Sequence, residues 1–211
     1  MTETLCAVLV FARAPRPGHC KTRLIPALGA AGAARASAAL TRRALHAATA
    51  ADVGPVELWC APDAHHPFFG ECRQHCEGLS LHAQCDGDIG LRMHHAFADA
   101  LTRHPRAVLI GADAVSLGAG DIRAAARALD THDAAFVPAE DGGYLLVALN
   151  RANDALFDGI TWGSPAVWAQ TRARLDAMTL NARVLPTGYD VDHPPDWARA
   201  VREGLIEALT P

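Results

Sequence analysis

The sequence predicts an α/β fold, one domain in which a mostly parallel sheet of about seven strands lies between two layers of helices. Two observations favour this fold class. Short apolar stretches bounded by glycine, proline or polar turns alternate with longer helix-like stretches, and most gaps leave room for a crossover helix. Such alternation is typical of a sheet covered on both faces. The 211 residues, half of them hydrophobic, fit a single domain over residues 1–211.

The predicted elements follow one another in a regular order. The strands cover residues 5–11, 56–60, 79–84, 108–111, 134–137, 144–149 and 183–185. The helices cover residues 32–51, 67–76, 91–103, 121–129, 165–178 and 194–209, and proline near the start of three of them suits the first helical turn. Strands 134–137 and 144–149 lie too close together for a crossover helix, so one of them is expected to be antiparallel.

Composition and charge narrow the class of function. The formal net charge is −4 and the isoelectric point is near 6.2, with no basic face along the chain, which argues against nucleic acid as a partner. The apolar part of MTETLCAVLVFARAP is too short to span a membrane. We therefore expect no membrane span and an unprocessed, cytoplasmic protein. Trp162 and Trp168 are candidates for a contact surface in a homo-oligomer.

The cysteines admit two interpretations. There are six, and without a secretory signal in a chain of this length they are expected to be reduced thiols rather than a disulfide framework. Cys72 and Cys76 are four residues apart and have several histidines nearby, so a soft-metal site is the alternative. Two cysteines without a second paired motif are a weak zinc signal, which favours the first interpretation.

The opening loop carries the strongest functional signal. In LCAVLVFARAPRPGHCKTRL an apolar strand runs into a bent loop that contains Arg13, Arg16, Lys21 and Arg23. Four cations in one short loop indicate a phosphate ligand. The loop is not a Walker P-loop, because Cys20 stands where that motif needs glycine before the lysine. No dinucleotide fingerprint or serine-hydrolase elbow is present either, so nothing supports hydride transfer or the usual hydrolase chemistry.

Acidic residues follow several predicted strands at the edge where open α/β sheets bind ligands. Asp113 comes directly after an apolar strand and can hold a hard cation through oxygen. Mg²⁺ usually takes one or two carboxylates together with substrate phosphates. Asp190 and Asp192 follow the last strand, and alternate residues of an extended segment face the same way, so one or both point into the cleft. Asp196 lies in the first turn of the last helix, which favours a structural role.

Two further loops at this edge offer polar groups. In QCDGDIGLRM, Gln84 and Asp88 are candidate nucleotide contacts, although Asp88 also suits the N-cap of the next helix and a simple strand-to-helix turn explains the loop equally well. In PAEDGGYLL, Asp141 is a candidate general base for an acceptor hydroxyl. Asp-Gly-Gly is equally typical of a hairpin turn, and both interpretations stay open.

Five segments, in order along nearly the whole chain, resemble one bacterial family. FARAPRPGHCKTRL, GADAVSL, HDAAFVPAEDGGYLLVAL, TWGSPAV and DVDHPPDW are similar to the corresponding segments of the DUF2064 proteins. The resemblance implies a GT-A-like, Rossmann-like α/β/α fold, related to nucleotide-diphosphosugar transferases and more distantly to phospholactate guanylyltransferase. The chain departs from the family pattern G-T-D-C-P-x-L at Ala112, Ala114 and Val115, while Asp113 is present.

The resemblance also implies a set of site residues. Asp113 is expected to hold a metal ion, and the similarity of VDHPPD to a V-D-T-P-E-D segment favours Asp192 over Asp190 as the second ligand. The opening loop is expected to surround the nucleotide and its phosphates through Ala12, Arg13, Pro17, Gly18, Lys21, Thr22 and Arg23. The acceptor side of the cleft is expected at Glu140, Asp141, Gly142, Gly143 and Tyr144.

Together these patterns predict a Mg²⁺- or Mn²⁺-dependent glycosyltransferase that takes a nucleotide-diphosphate sugar donor and a small-molecule acceptor. Asp113 and Asp192 would hold the cation, Lys21 and Arg23 would stabilise the leaving group, and Asp141 would accept the acceptor's proton. The first alternative is nucleotidyl transfer from a nucleoside triphosphate to a phosphorylated small molecule, which needs no protein base. The second alternative is a non-catalytic nucleotide- or metal-binding module.

Overall fold

Seven strands form one sheet in the computed structural model, which describes residues 5–208, and all but the two edge strands are near-continuous apolar stretches. The strands are β1 (Cys6–Arg13), β2 (Val56–Ala61), β3 (Ser80–Ala83), β4 (Arg106–Gly111), β5 (Ala134–Pro138), β6 (Tyr144–Leu149) and β7 (Ala182–Val184). The helices are α1 (Ile25–Ala51), α2 (Pro67–His75), α3 (Ile89–Ala100), α4 (Ala119–Ala128), α5 (Val167–Ala177) and α6 (Pro194–Arg202). The predicted α/β fold is confirmed.

The strands form a single sheet in the order β3-β2-β1-β4-β6-β5-β7. β6 is antiparallel to both of its neighbours, β4 and β5, and the other pairings are parallel. This confirms the prediction of one antiparallel strand. The chain leaves β1 toward β2 on one side and later returns as β4 on the other, so a crevice opens at the carboxyl ends of β1 and β4. Ligands of open α/β sheets bind at such a point.

Alternate residues of the strands face two separate helical layers. On one face Val10, Leu58 and Ile110 belong to a buried cluster that includes residues of α1, α2 and α4. On the other face Leu9 and Phe136 belong to a buried cluster that includes residues of α3 and α5. Apolar surface removed from water on both faces is the main stabilising contribution to such a sheet.

A third buried cluster lies at the end of the sheet that carries the crevice. It contains Leu24 of the opening loop, Leu40 of α1, Val191 of the segment before α6, and Trp197 of α6 itself. These residues come from distant parts of the sequence. The cluster therefore fixes the opening loop and the segment before α6 against the same helix.

The start of α1 and the end of α6 differ most from the predicted helix boundaries, while the other helix ends lie within three residues of the prediction. α1 begins seven residues before residue 32, at Ile25, and contains Gly29 with φ 69° and ψ 167°. Glycine adopts that non-helical conformation without steric penalty, so the helix is kinked there. α6 ends at Arg202, and Gly204, at φ 69°, follows it, which is typical of a helix C-terminus. Of the predicted helix 194–209, Leu209 lies outside the described residues.

Within residues 5–208, one helical stretch, Thr22–Ala51, is long and apolar enough by length and composition to cross a membrane. Many of its small residues, among them Ala33, Ala36, Ala48 and Ala51, are buried inside the fold. They belong to two of the buried clusters, as residues of a core helix do.

Ser116 joins the loop after β4 to the segment before α6. Its Oγ donates a hydrogen bond to the carbonyl oxygen of Tyr189 and accepts one from the Tyr189 N–H, both at 2.8 Å. A Cβ at Gly188 would lie 2.5 Å from that Oγ, so only glycine allows this approach. A backbone hydrogen bond at 3.1 Å from Val191 N to the carbonyl oxygen of Asp113 joins the same two segments. The two acidic segments are therefore held side by side.

We expect Ser116→Ala to lower the free energy of unfolding by about 1–3 kcal/mol, because it leaves the part-buried Tyr189 N–H without its acceptor. Urea denaturation measures this change. Ser80→Ala, at an exposed position on β3, is the matched control and is expected to change stability by roughly 0.5 kcal/mol or less. Equal stabilities for the two variants would contradict the proposed connection.

Candidate active site

A cavity of about 370 Å³ opens at the carboxyl ends of β1 and β4. Its walls come from four parts of the chain: the opening loop, α1, the loop after β4 and the segment before α6. Its lining includes Ala12, Arg13, Lys21, Thr22, Arg23, Ser37, Leu40, Thr41, Ala112, Asp113 and Asp192. The structure thus brings five of the predicted nucleotide contacts and both predicted metal ligands to one cavity, here called the first cavity.

Lys21 is the centre of the site. Its Nζ donates hydrogen bonds to Asp113 Oδ2 and Asp192 Oδ1, each at 2.8 Å, and its side chain is only 13% exposed. Burial lowers the pKa of Lys21, but the charges of Asp113 and Asp192 outweigh burial and raise this pKa above its ordinary value. Lys21 is therefore a fixed cation at neutral pH and not a base.

The backbone at Lys21 is also unusual. Its φ of 44° and ψ of 45° lie in the left-handed region, which is uncommon for residues other than glycine. Such a conformation costs on the order of 1–3 kcal/mol and persists only where surrounding contacts enforce it. The contacts of Lys21 include its two ion pairs and a hydrogen bond at 2.9 Å from Leu24 N to its carbonyl oxygen.

Asp192 is held by a second cation as well. Arg23 Nη1 donates to Asp192 Oδ2 at 2.7 Å, while Lys21 holds the other oxygen. Burial raises the pKa of Asp192, yet the two cations outweigh it and lower this pKa below its ordinary value. Asp192 is therefore ionised at neutral pH.

Asp113, Asp190 and Asp192 form a triad in which one carboxylate oxygen from each residue lies within 4.8 Å of the others. Burial, and then the neighbouring charges of Asp113 and Asp192, raise the pKa of Asp190 to about 7. Three crowded carboxylates provide the hard oxygen ligands that Mg²⁺ and Mn²⁺ prefer. The donor chemistry fits a divalent cation, as the sequence predicted.

The triad extends the predicted ligand set by one residue. The family resemblance favoured Asp192 over Asp190, but the structure places both beside Asp113. The signal was present in the sequence, because residues two apart in an extended segment face the same way. Asp196 takes the predicted structural role: its Oδ2 accepts from His193 N at 2.7 Å, at the start of α6.

The loop that carries Asp113 is closed by its own backbone. Val115 N donates to the carbonyl oxygen of Asp113 at 2.7 Å, and the carbonyl oxygen of Val115 accepts from Arg43 Nε at 2.9 Å. Proline, which the family pattern has at this position, has no N–H and could not make the first bond. The departure at Val115 therefore adds a hydrogen bond to this loop.

A second cavity, of about 440 Å³, adjoins the first. Arg23 and Asp192 line both cavities, so the first and second cavities meet at the Arg23–Asp192 ion pair. Asp141, Gly143 and Tyr144, three of the predicted acceptor residues, line the second cavity. Its remaining walls come from Ile89, Met93, Trp162, Gly163, Ser164, Pro165 and Val167.

Asp141 has the predicted turn geometry and also faces the second cavity. Its Oδ1 accepts from Gly143 N at 2.9 Å, which is a local turn contact. Gly142 has φ 92°, and a Cβ there would lie 2.2 Å from the Pro165 carbonyl oxygen, so this turn requires glycine. The charge of Asp141 is among the causes that raise the pKa of Asp190. Asp141 therefore makes a turn contact and also places a negative charge near Asp190 of the triad.

Other predicted site residues lie outside both cavities. Gln84 Nε2 donates to the Trp59 carbonyl oxygen at 2.8 Å, and Asp88 Oδ1 accepts from Leu91 N at 2.9 Å as the N-cap of α3. Glu140 pairs with Arg199 at 2.9 Å. Pro17 and Gly18 are exposed in the opening loop. Their roles toward a nucleotide or an acceptor stay predictions.

Three residues of α1 were absent from the predicted site. Ser37, Leu40 and Thr41 line the first cavity. Ser37 and Thr41 are four residues apart, on one face of an alanine-rich helix, and both are buried. The sequence signal was two hydroxyl residues with that spacing on an otherwise alanine-rich helix, although the Thr41 hydroxyl itself donates to the Ser37 carbonyl oxygen at 2.9 Å.

The cysteines and histidines show no comparable cluster. Among residues 5–208, the carboxylate triad is the one group of three or more such ligand side chains that comes this close together. All six cysteines are free thiols. Burial raises the pKa of Cys72 to about 11, and Cys76 Sγ lies 3.2 Å from Thr49 Oγ1.

The fold and the position of this site define the class: a GT-A-like α/β fold with an acidic, lysine-centred cleft at the strand ends. The chain belongs to the DUF2064 family, described as uncharacterized proteins conserved in bacteria, whose family model matches residues 44–164. No curated protein matches the chain.

Solved structures agree with this class. A Desulfovibrio desulfuricans G20 protein, assigned by name to the nucleotide-diphospho-sugar transferases, is 31% identical, with a TM-score of 0.80 over 92% of this chain and 84% of that chain. The 4-diphosphocytidyl-2C-methyl-D-erythritol synthase of Anaerococcus prevotii DSM 20548 is 7% identical, with a TM-score of 0.68 over 95% and 96% of the two chains.

Rv0371c from Mycobacterium tuberculosis H37Rv, solved in complex with manganese, is 16% identical, with a TM-score of 0.57 over 97% and 100% of the two chains. At their level of identity, the synthase and Rv0371c show the shared fold alone.

We expect Asp190→Asn to weaken Mn²⁺ binding about tenfold or more, because the variant removes one charged oxygen ligand from the triad. Isothermal titration calorimetry of the apo protein measures this affinity. Asp130→Asn, an exposed carboxylate paired with Arg106 away from the cavity, is the matched control and is expected to bind Mn²⁺ like the unaltered chain. An unchanged affinity in Asp190→Asn would exclude Asp190 as a ligand.

Proposed function

We propose that this chain is a divalent-metal-dependent glycosyltransferase, formed by a single domain, that uses a nucleotide-diphosphate sugar as donor. The observation that carries the proposal is the contact of Lys21 with Asp113 and Asp192, two members of a carboxylate triad, in a cleft whose two cavities meet at Asp192. The name of the 31% identical Desulfovibrio protein supports the donor class. The first cavity would hold the nucleotide diphosphate and the second the acceptor.

The first cavity has the charges that a diphosphate requires. Arg13, Lys21 and Arg23 line it, together with Thr22, Ser37 and Thr41. Its volume of about 370 Å³ is within the range of small-molecule sites. Because Lys21 stays charged, its ammonium would neutralise phosphate oxygens without a change of protonation.

The triad is the proposed metal site. Asp113, Asp190 and Asp192 would hold Mg²⁺ or Mn²⁺, and the manganese complex of Rv0371c, a protein of the same fold, supports a divalent ion. Such an ion, when bound, supplies positive charge beside the diphosphate of the donor. Arg23 would orient Asp192 through their ion pair at 2.7 Å.

The transfer step places an acceptor hydroxyl in the second cavity beside Asp141. The hydroxyl oxygen attacks the anomeric carbon of the donor sugar, and the bond from that carbon to the diphosphate oxygen breaks. The electron pair of that bond leaves with the nucleoside diphosphate, whose added negative charge Lys21 and Arg23 would stabilise. The hydroxyl proton passes to the carboxylate of Asp141, whose Oδ1 is fixed by Gly143 N.

Nucleotidyl transfer is the second candidate. The observation that favours it is the density of cations around the first cavity, which suits attack on an α-phosphate. In that reaction a phosphorylated acceptor attacks a nucleoside triphosphate, and pyrophosphate leaves with the bonding electrons. Release of pyrophosphate from a nucleoside triphosphate, rather than of a nucleoside diphosphate from a sugar nucleotide, identifies this reaction.

We expect nucleotide and metal to stabilise the protein only in combination, because the phosphates and the triad would share the cation. A ligand at a hundred times its Kd adds about 2.7 kcal/mol of stability. A thermal-shift series of sugar nucleotides with and without Mg²⁺ measures this effect. Asp113→Asn is expected to lose the metal-dependent part of the shift. No shift with any nucleotide, with or without metal, would overturn the proposed function.

We expect Asp141→Asn to lower kcat by ~10²–10⁴, the contribution of a general base, while the thermal shift with nucleotide and Mg²⁺ stays unchanged. Nucleoside diphosphate release from the active sugar nucleotide measures kcat. Asp130→Asn is again the matched control and should retain full activity. Full activity in Asp141→Asn, with pyrophosphate as the released product, would favour nucleotidyl transfer instead.

A further inference from the structure

One wall of the second cavity is apolar. Ile89 and Met93 of α3, together with Trp162, Pro165 and Val167, form it. Ile89 is 40% exposed, although large hydrophobic residues elsewhere in the fold are mostly buried. A ligand that covers this wall gains the free energy of burying apolar surface.

Trp162 is held rigidly in this wall. Its indole meets the ring of Tyr144 edge-on, with centroids 6.3 Å apart and an interplanar angle of 79°. Gly90 lies directly against the indole, since a Cβ at that position would be 2.5 Å from Trp162 Nε1. The backbone N–H of Trp162 donates to the Ile160 carbonyl oxygen at 2.9 Å, which fixes the main chain that carries the indole. A half-buried, preorganised indole of this kind suits a ligand with a flat face.

The charges of the second cavity differ from those of the first. Among its lining residues the one cation is Arg23, and this guanidinium is already paired with Asp192 at 2.7 Å. Two carboxylates, Asp141 and Asp192, line the same cavity. Apart from an ion bound at the triad, a phosphate group there would meet two carboxylates and one cation that is already paired.

The start of α5, one of the two helices that border the cavity, does not supply an anion site. At the start of α5, the Trp168 N–H donates to the Gly142 carbonyl oxygen at 2.8 Å, and the Val167 N–H donates to the Ser164 carbonyl oxygen at 3.3 Å. The Ala166 N–H donates to Ser164 Oγ at 3.3 Å. These three amides at the start of α5 are therefore already paired and do not offer a phosphate site.

We propose that the second cavity binds an uncharged hydroxyl acceptor with a ring whose apolar face stacks on Trp162, and that it disfavours phosphorylated acceptors. The inference rests on the proposed function and names its acceptor class. The ring's hydroxyl would point toward Asp141, which receives the proton in the transfer step described above. The inference also separates the two candidate reactions, because nucleotidyl transfer to a phosphorylated acceptor needs a phosphate site in this cavity.

The experiment compares phenyl β-D-glucoside with phenyl β-D-glucoside 6-phosphate, which differ only in the phosphate. Binding of each to the full chain is measured by calorimetry in the presence of Mg²⁺ and the nucleoside diphosphate that stabilises the protein best. The neutral glucoside is expected to bind at least about tenfold more tightly. Trp162→Ala should weaken its binding about three- to tenfold, the range for loss of an aromatic stacking contact, whereas Trp162→Phe should retain most of it.

Two controls keep the test separate from folding and from nucleotide binding. Trp168→Phe, which alters an indole packed on Phe136 outside the second cavity, should bind the glucoside like the unaltered chain. The thermal shift with nucleotide and Mg²⁺ should be the same in all three tryptophan variants. Equal loss of that shift in Trp162→Ala and Trp162→Phe would show a structural role and overturn the stacking assignment.

The outcomes of the comparison are distinct. Tighter binding of the phosphorylated glucoside, or no binding of either glucoside at millimolar concentration, overturns the acceptor assignment while the nucleotide shift leaves the proposed donor site standing. Failure of every nucleotide to shift the unaltered chain overturns the proposed function and the acceptor assignment with it.

Discussion

The site depends on one interaction, the contact of the Lys21 ammonium with the carboxylates of Asp113 and Asp192. The partners are 92 and 171 residues from Lys21 in the sequence, and both contacts measure 2.8 Å. Without the cation, carboxylates from two loops would lie close together in a partly buried cleft, which electrostatic repulsion and desolvation both oppose. The cation in turn is buried and has a left-handed backbone, so the attraction of the carboxylates also stabilises the loop that carries it.

Packing and hydrogen bonds around this contact fix the positions of the loops that carry the three side chains. Ser116 connects the two acidic segments through Tyr189, and Leu24 and Val191 belong to one buried cluster that anchors the loops beneath the charges. The buried apolar cluster and the ion pairs of Lys21 therefore stabilise the same loops. The Arg23–Asp192 pair then divides the cleft into a cation-rich cavity and an apolar, acid-lined one, which is the basis for assigning donor and acceptor to separate sides.

Much of the fold and part of the site could be predicted from local patterns. Apolar runs bounded by turns located all seven strands, and the short gap between β5 and β6 located the antiparallel strand. Lys21 and Asp113 were recognisable because each follows a strand at the ligand-binding edge. The start of α1 was not, because the proline and glycines of residues 26–32 resemble a loop. Gly29 does break the helix there, but a further helical turn precedes it from Ile25. Trp162 was predicted only as a subunit contact, since its cavity is formed with α3 and Tyr144.

The sequence by itself determined the fold class, the cationic opening loop and the presence of acidic residues at the strand ends, because these depend on periodicity and on the residue types that short segments contain. Tertiary structure alone decided that Asp190 joins the triad, that Lys21 touches both of its partners, and that Asp88 and Glu140 make their contacts elsewhere. Those outcomes depend on distances between segments far apart in the chain. Such distances are set by the twist of the sheet, by the Ser116 hydrogen bonds and by the packing of Leu24 and Val191, none of which a local pattern contains.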